Sequence, residues 1–233
     1  MVQPGPVLEG KGKTDYERYI RTDDLLALQK EASALVHPEE RLFQITHQAA
    51  ELWLKQLDFE VDRVAGLMRE GKLAESSDLL VRCRMILDLL RDQIVIVETM
   101  APADYHVIRL NALGKGSGQE SPGFQKLLDV RHRLWPALEE IIRVAGVTPI
   151  AILRAPREHH ELHRLAQAMM DYDAAFMKWR YTHMRLALRI IGSRVKSLKG
   201  VPVMQLEAGT REPLFGELWD AISDLTDETR PEY

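Results

Sequence analysis

Along most of the chain, apolar residues return every three or four positions, the spacing of helices that bury one face. Residues 1–13 hold five Gly and Pro and read as a flexible N-terminal arm. Thr22, Asp23 and Asp24 then offer an N-cap and an acidic first turn to a short helix carrying Leu25, Leu26, Leu28 and Leu35. Pro38, Glu39 and Glu40 open a long helix with Leu42, Ile45, Ala49, Leu52, Leu57 and Val61 at helical spacing, and Gly71 breaks it. A further helix is expected from about Ala74 to Met100, with Leu79, Leu80, Cys83, Ile86, Leu87, Leu90, Ile94 and Val97 on one broad face. Pro102 starts a short helix ending near Leu113, and GKGSGQESPG, residues 114–123, reads as a loop. The helical pattern resumes at Phe124 and must bend or stop at Pro136. A turn near Pro149 to Pro156 precedes a long helix from about Glu158 to Arg194; residues 195–212 read as irregular, and Pro213 opens a final helix ending near Thr226. No strand-like alternation persists, so the expected fold is all-α, an antiparallel helical bundle, with residues 14–233 as one domain.

Composition narrows the class. Hydrophobic residues make up 45% and charged residues 28%, enough to bury a core and too apolar for a disordered chain. The 31 basic and 35 acidic residues are interspersed, so no stripe tracks phosphates and no nucleic-acid partner is expected. Cys83 is the single cysteine and lies in the apolar-periodic LLVRCRMILDLL, which fits a buried thiol and a cytoplasmic protein. The opening MVQPGPVLEGKGKTD has no apolar centre and QIVIVETMA is short, so neither a signal peptide nor a membrane span is expected.

There is no glycine-rich phosphate loop, paired-cysteine motif or nucleophile elbow, and the histidines carry the chemical information. His159, His160 and His163 cluster in PREHHELHR, where a metal pair one turn apart competes with a solvated first turn. His47 lies mid-helix in LFQITHQAAELWLKQ, with Phe43 and Glu51 one turn to either side; it is either a satisfied core histidine or a site residue. The same alternatives hold for His183, in MKWRYTHMRLALRIIG, with Trp179 one turn before it; an imidazole leaving an apolar helical face is how bundles hold a haem iron. In PADYHVIRLNAL, Arg109 follows Tyr105 by one turn, so a guanidinium fork and a phenol share one side. That pair suits a carboxylate ligand, and a surface ion pair with Asp104 is the alternative.

Five blocks in order, YERYIRTDDLLALQ, LFQITHQAAELWLKQ, MAPADYHVIR, SPGFQ and WRYTHMRLALRIIG, followed by a closing FGELWD, resemble the tryptophan 2,3-dioxygenase family. The resemblance runs from residue 14 to about 222. It implies an all-helical fold of the tryptophan 2,3-dioxygenase and indoleamine dioxygenase type, haem b as cofactor, and O₂ with L-tryptophan or a substituted tryptophan as substrates. It implies His183 as axial ligand of the haem iron and His47 as the catalytic residue facing the indole N–H, with Phe43 flanking the ring. Tyr105 and Arg109 would grip the substrate carboxylate. Tyr16, Tyr19 and Ile20 would reach into a neighbouring subunit's pocket in a homo-oligomer, a tetramer or dimer.

Three departures from the family pattern stand out. The glycine- and serine-rich loop after the ligand helix reads KSLKG at 196–200, with Ser197 where a threonine that meets the substrate ammonium is expected. The stretch from Phe124 to His183 is shorter than in typical members, and Ile108 replaces an aromatic before the arginine. The expected reaction is conversion of tryptophan to N-formylkynurenine. The alternatives are insertion of one oxygen to give a 2-oxindole from a substituted tryptophan such as β-methyltryptophan, a haem sensor or carrier without turnover, and a helical scaffold without haem.

Overall fold

A computed structural model describes residues 5–116, 118–194, 207 and 209–230. Every regular element among the described residues is helical, as the apolar spacing predicts. The α-helices are α1 (Asp15–Ile20), α2 (Thr22–Leu26), α3 (Glu39–Arg69), α4 (Leu73–Ile96), α5 (Pro102–Asn111), α6 (Pro122–Leu128), α7 (Val130–Ala145), α8 (Pro149–Arg154), α9 (His160–Ile191) and α10 (Gly216–Glu228).

Helices α3, α4 and α9 form the frame. Gly71, at φ +74°, makes the left-handed turn that a side chain resists, so α4 returns antiparallel against α3. The broad apolar face of α4 is shared between α3 and α9, its main packing partners. Leu57, Val61 and Val64 meet Leu80, Cys83, Leu87 and Leu90 there, with Phe176 and Tyr172 from α9, all fully buried. Burial pushes the Cys83 thiol up to about 12, so it stays protonated and inert. A smaller apolar cluster under α5 joins Val97, Met100 and Ile108 to Leu186 and Ile190 of α9.

Several boundaries differ from the sequence pattern. The first leucine-rich helix stops at Leu26, leaving Leu28 and Leu35 beyond it. Neither α1 nor α2 buries a residue, so nothing in this chain rewards their extension. Their junction is Arg21, at φ +55°, and α1 is held by a reciprocal capping box between Thr14 and Glu17. The expected interruption after Phe124 falls at Asp129, and Pro136 sits inside α7. Proline leaves the His132 carbonyl without its usual helical N–H, and the His132 side chain there is exposed. The expected turn near Pro149 is the short helix α8, capped by Thr148 Oγ1, which accepts from Ala151 N at 3.3 Å.

The last helix is fastened by a buried carboxylate. Asp173 of α9 accepts from Leu214 N at 2.9 Å, Phe215 N at 3.0 Å and Trp219 Nε1 at 3.0 Å. Arg131 adds an ion pair to Glu217 at 2.5 Å and donates to Leu214 O at 2.6 Å. Asp173→Ala strands three donors at once. We expect it to lower unfolding stability by on the order of 3–5 kcal/mol, read as a reduced urea midpoint, with Asp173→Asn milder.

No helix among the described residues is long and apolar enough to cross a membrane.

Candidate active site

A cavity of about 600 Å³ opens between α3, α4, α9, the start of α6 and the chain at Gly209 and Glu212. Ala50, Leu54, Leu90, Ile94, Phe124 and Trp179 give it apolar walls, and His47 and His183 line it from α3 and α9. A second hollow of about 900 Å³, between α3 and α7, is lined by Met68, Pro136, Ile141 and neighbouring residues, and it contains none of the expected site residues. The His159, His160 and His163 cluster stays at the entry to α9, and no three His, Cys, Asp or Glu side chains converge as a metal site among the described residues.

The tautomer of His47 follows from its partner. Its Nδ1 lies 2.7 Å from the Phe43 carbonyl oxygen, which can only accept, so Nδ1 carries the proton and Nε2 keeps a free lone pair. Phe43 and His47 rings lie 4.0 Å apart, centroid to centroid. His47 is exposed to water on the cavity, yet desolvation by the surrounding protein holds its pKa below the ordinary value, against the opposing pulls of Phe43 O and the Glu51 carboxylate. It is therefore neutral at pH 7.

His183 stacks on Trp179, with centroids 5.6 Å apart and planes 3° apart. Among the described residues its ring takes no hydrogen bond. Burial, with a smaller contribution from the nearby His47, lowers its pKa from 6.5 to about 4. The unfolded chain thus holds a proton that the folded chain lacks between about pH 6.5 and pH 4. We expect the stability of the haem-free protein to fall as pH drops through this window, by on the order of 3 kcal/mol from this group. His183→Ala should flatten that pH dependence in chemical denaturation.

Tyr105 and Arg109 share one side of α5, as their spacing predicts. The Tyr105 ring lies 5.9 Å from Phe43, which brings the phenol to the His47 neighbourhood. Burial pushes the phenol pKa up while the nearby Arg109 charge pulls it down, so Tyr105 remains a hydrogen-bond donor. Phe43 and Tyr105 stand beside the cavity, in the small core under α5, and do not line it. Ile108 is fully buried in that same core and does not line the cavity.

Tyr16, Tyr19 and Ile20 are set apart from these residues. They lie on α1, whose contacts are with α2, and their side chains are exposed, Tyr19 by 79%. Ser197 lies outside the described residues.

The structure adds residues that spacing did not single out for a role. Glu51, one turn after His47, accepts from Ser121 Oγ and from Gly123 N at 3.2 Å. Arg180 brings a half-buried guanidinium to the cavity over the Phe176 ring, at 5.2 Å, with Glu212 O 3.4 Å away. A side chain at Gly209 would overlap that guanidinium. The SPGFQ block contained Ser121 and the WRYTHMRLALRIIG block contained Arg180; for Gly209, distant in sequence, no local pattern existed.

Residues 2–131 match the family model described as tryptophan 2,3-dioxygenase. The chain belongs to the tryptophan 2,3-dioxygenase family. It is 26% identical to the tryptophan 2,3-dioxygenase of Myxococcus xanthus over 97% of this chain and 94% of that protein. It is 28% identical to that of Shewanella woodyi over 94% and 95%, and 24% identical to that of Herpetosiphon aurantiacus over 90% and 98%. The Myxococcus alignment spans 275 positions against 233 residues here, so this relative carries stretches that the present chain lacks. The family match covers α1 to α6, the elements that carry His47, Tyr105 and Arg109; His183 falls within the longer alignments.

Proposed function

We propose that this member of the tryptophan 2,3-dioxygenase family is a haem-dependent oxygenase of the indole ring, acting on L-tryptophan or a close derivative. The observation that carries the proposal is two imidazoles, from α3 and α9, that line one largely apolar cavity, with the Tyr105 ring close to Phe43 beside the first. The cavity's size and apolar lining favour a porphyrin as its occupant. His183 offers a neutral ring without a hydrogen bond among the described residues, over walls of Leu, Ile, Phe and Trp. The Arg180 guanidinium would meet a propionate. Haem iron, when bound, supplies the O₂ activation that side chains cannot.

The chain's own residues do the rest. His47 Nε2, left free by the Nδ1–Phe43 bond, would accept from the indole N–H and fix the ring's orientation. Phe43 would flank the ring. Arg109 would take the substrate carboxylate through two parallel charge-assisted bonds, with the Tyr105 hydroxyl adding a donor. Exposed Tyr16, Tyr19 and Ile20 would close the pocket of a second copy in a homo-oligomer, and Ser197 would meet the ammonium. Residues 14–233 act in this reading as one domain, in the cytoplasm.

A second reading is insertion of one oxygen to give a 2-oxindole from a substituted tryptophan. It is favoured by KSLKG at 196–200 and by the stretches that the relatives carry and this chain lacks. Reduced, haem-loaded protein with O₂ and either L-tryptophan or β-methyltryptophan separates the two by product mass. N-formylkynurenine, carrying two added oxygen atoms, supports the dioxygenase; a product with one supports the oxindole reading. No oxygenated product from either substrate overturns both and leaves the carrier.

A further inference from the structure

We propose that Glu51 is a positioning residue for His183, acting through Ser121, Phe124 and Trp179. The importance of His183 in this proposal rests on the haem reading above; the contacts themselves do not.

Glu51 and His47 lie one turn apart on α3 and line the same cavity. The carboxylate is not spent on the imidazole, whose Nδ1–H is taken by Phe43 O. Both of its oxygens instead hold the start of α6. Oε1 accepts from the Ser121 hydroxyl, and Oε2 accepts from Gly123 N at 3.2 Å. The fit is close: a Cβ at Gly123 would stand 2.9 Å from Glu51 Oε2 and 2.6 Å from Leu54 Cβ.

Ser121 passes the restraint on. Its Oγ also accepts from Phe124 N at 3.0 Å and so caps α6, a seven-residue helix too short to persist unaided. The Phe124 ring lies 5.3 Å from Trp179, and Trp179 lies parallel to His183 and offset from it, with centroids 5.6 Å apart. An unbroken run of contacts thus crosses the cavity wall from α3 through α6 to α9. A ligand imidazole is ordinarily oriented by a hydrogen bond from its second nitrogen. Among the described residues His183 has none, so the plane of Trp179 takes over that duty, and Phe124 and Glu51 hold Trp179 in place.

The test uses the full-length, haem-free protein and the imidazole proton signals of His183 by NMR, assigned with His183→Ala. The Trp179 ring lies parallel to this one with centroids 5.6 Å apart, so its ring current displaces these signals from those of the exposed His132. Glu51→Gln keeps the size but turns an amide N–H toward one of the two donors. Ser121→Ala removes the link to Phe124. Each should move the His183 signals at least halfway toward the exposed position, and the double variant should move them no further than the larger single change. In haem-loaded protein both should shift or broaden the iron–imidazole stretching band.

Signals that stay in place in folded Glu51→Gln and Ser121→Ala overturn the proposal. Should Glu51→Gln not fold, Ser121→Ala decides alone, since it leaves the carboxylate in place. The two readings fail separately. A protein that takes up no haemin but shows the displaced signals loses the proposed function and keeps the relay; haem uptake with unmoved signals does the reverse.

Discussion

His183→Ala leaves a folded protein that no longer takes up haem. The substitution removes the neutral imidazole that α9 presents to the cavity and leaves the hydrophobic walls intact. Losing a mere partner of a metal ligand costs about 10–100-fold in affinity, so losing the ligand itself should exceed that range. His47 keeps a free Nε2, but its ring is fixed on α3 and not on the helix that presents His183. The folding cost is small by comparison. The stacked contact with Trp179 is worth about 0.5–1.5 kcal/mol, a melting shift of about 1–6 °C for a chain this long. Haemin titration followed by absorbance, beside circular dichroism, reads both effects. Full-affinity uptake by the variant would show that another group holds the iron.

Arg109→Ala raises KM about 10–100-fold while the haem absorption band stays where it was. A charged hydrogen-bonding partner is worth about 1.5–3 kcal/mol, and each 1.4 kcal/mol is tenfold. In the proposed function the carboxylate would be gripped equally before and during reaction, so kcat should change less than KM. Arg109→Lys should recover only part of the loss, since a point charge lacks the parallel fork. Tyr105 reports the same geometry, its phenol sensing the Arg109 charge one turn away on α5. Loss of haem on Arg109→Ala, with substrate requirement unchanged, would move the residue out of the substrate pocket.

What could be read in the sequence was whatever repeats locally. The three-and-four spacing of leucines in α3 and α4, and the glycine between them, located the frame to within a few residues. Tyr105 and Arg109 share a side of α5 because one turn separates them, and this too was local. The difficulties came where tertiary contacts decide. The α1–α2 region stops early because it buries nothing within this chain. Pro136 lies inside α7 although its ring removes one helical hydrogen bond, which periodicity cannot register. His47 read equally well as a core histidine held by Glu51 or by a backbone group. The structure gives its Nδ1 to Phe43 O and gives Glu51 to α6, a choice set by residues 70 positions away. Arg180, Glu212 and Gly209 converge on the cavity only because Asp173 and Arg131 bring the C-terminal segment back onto α7 and α9.

Haemin titrated into the purified wild-type protein tests the account most directly. The account predicts saturation at one haem per chain, with a Soret band that His183→Ala abolishes. Wild-type protein that remains colourless at haemin excess, with its helices folded, would contradict it.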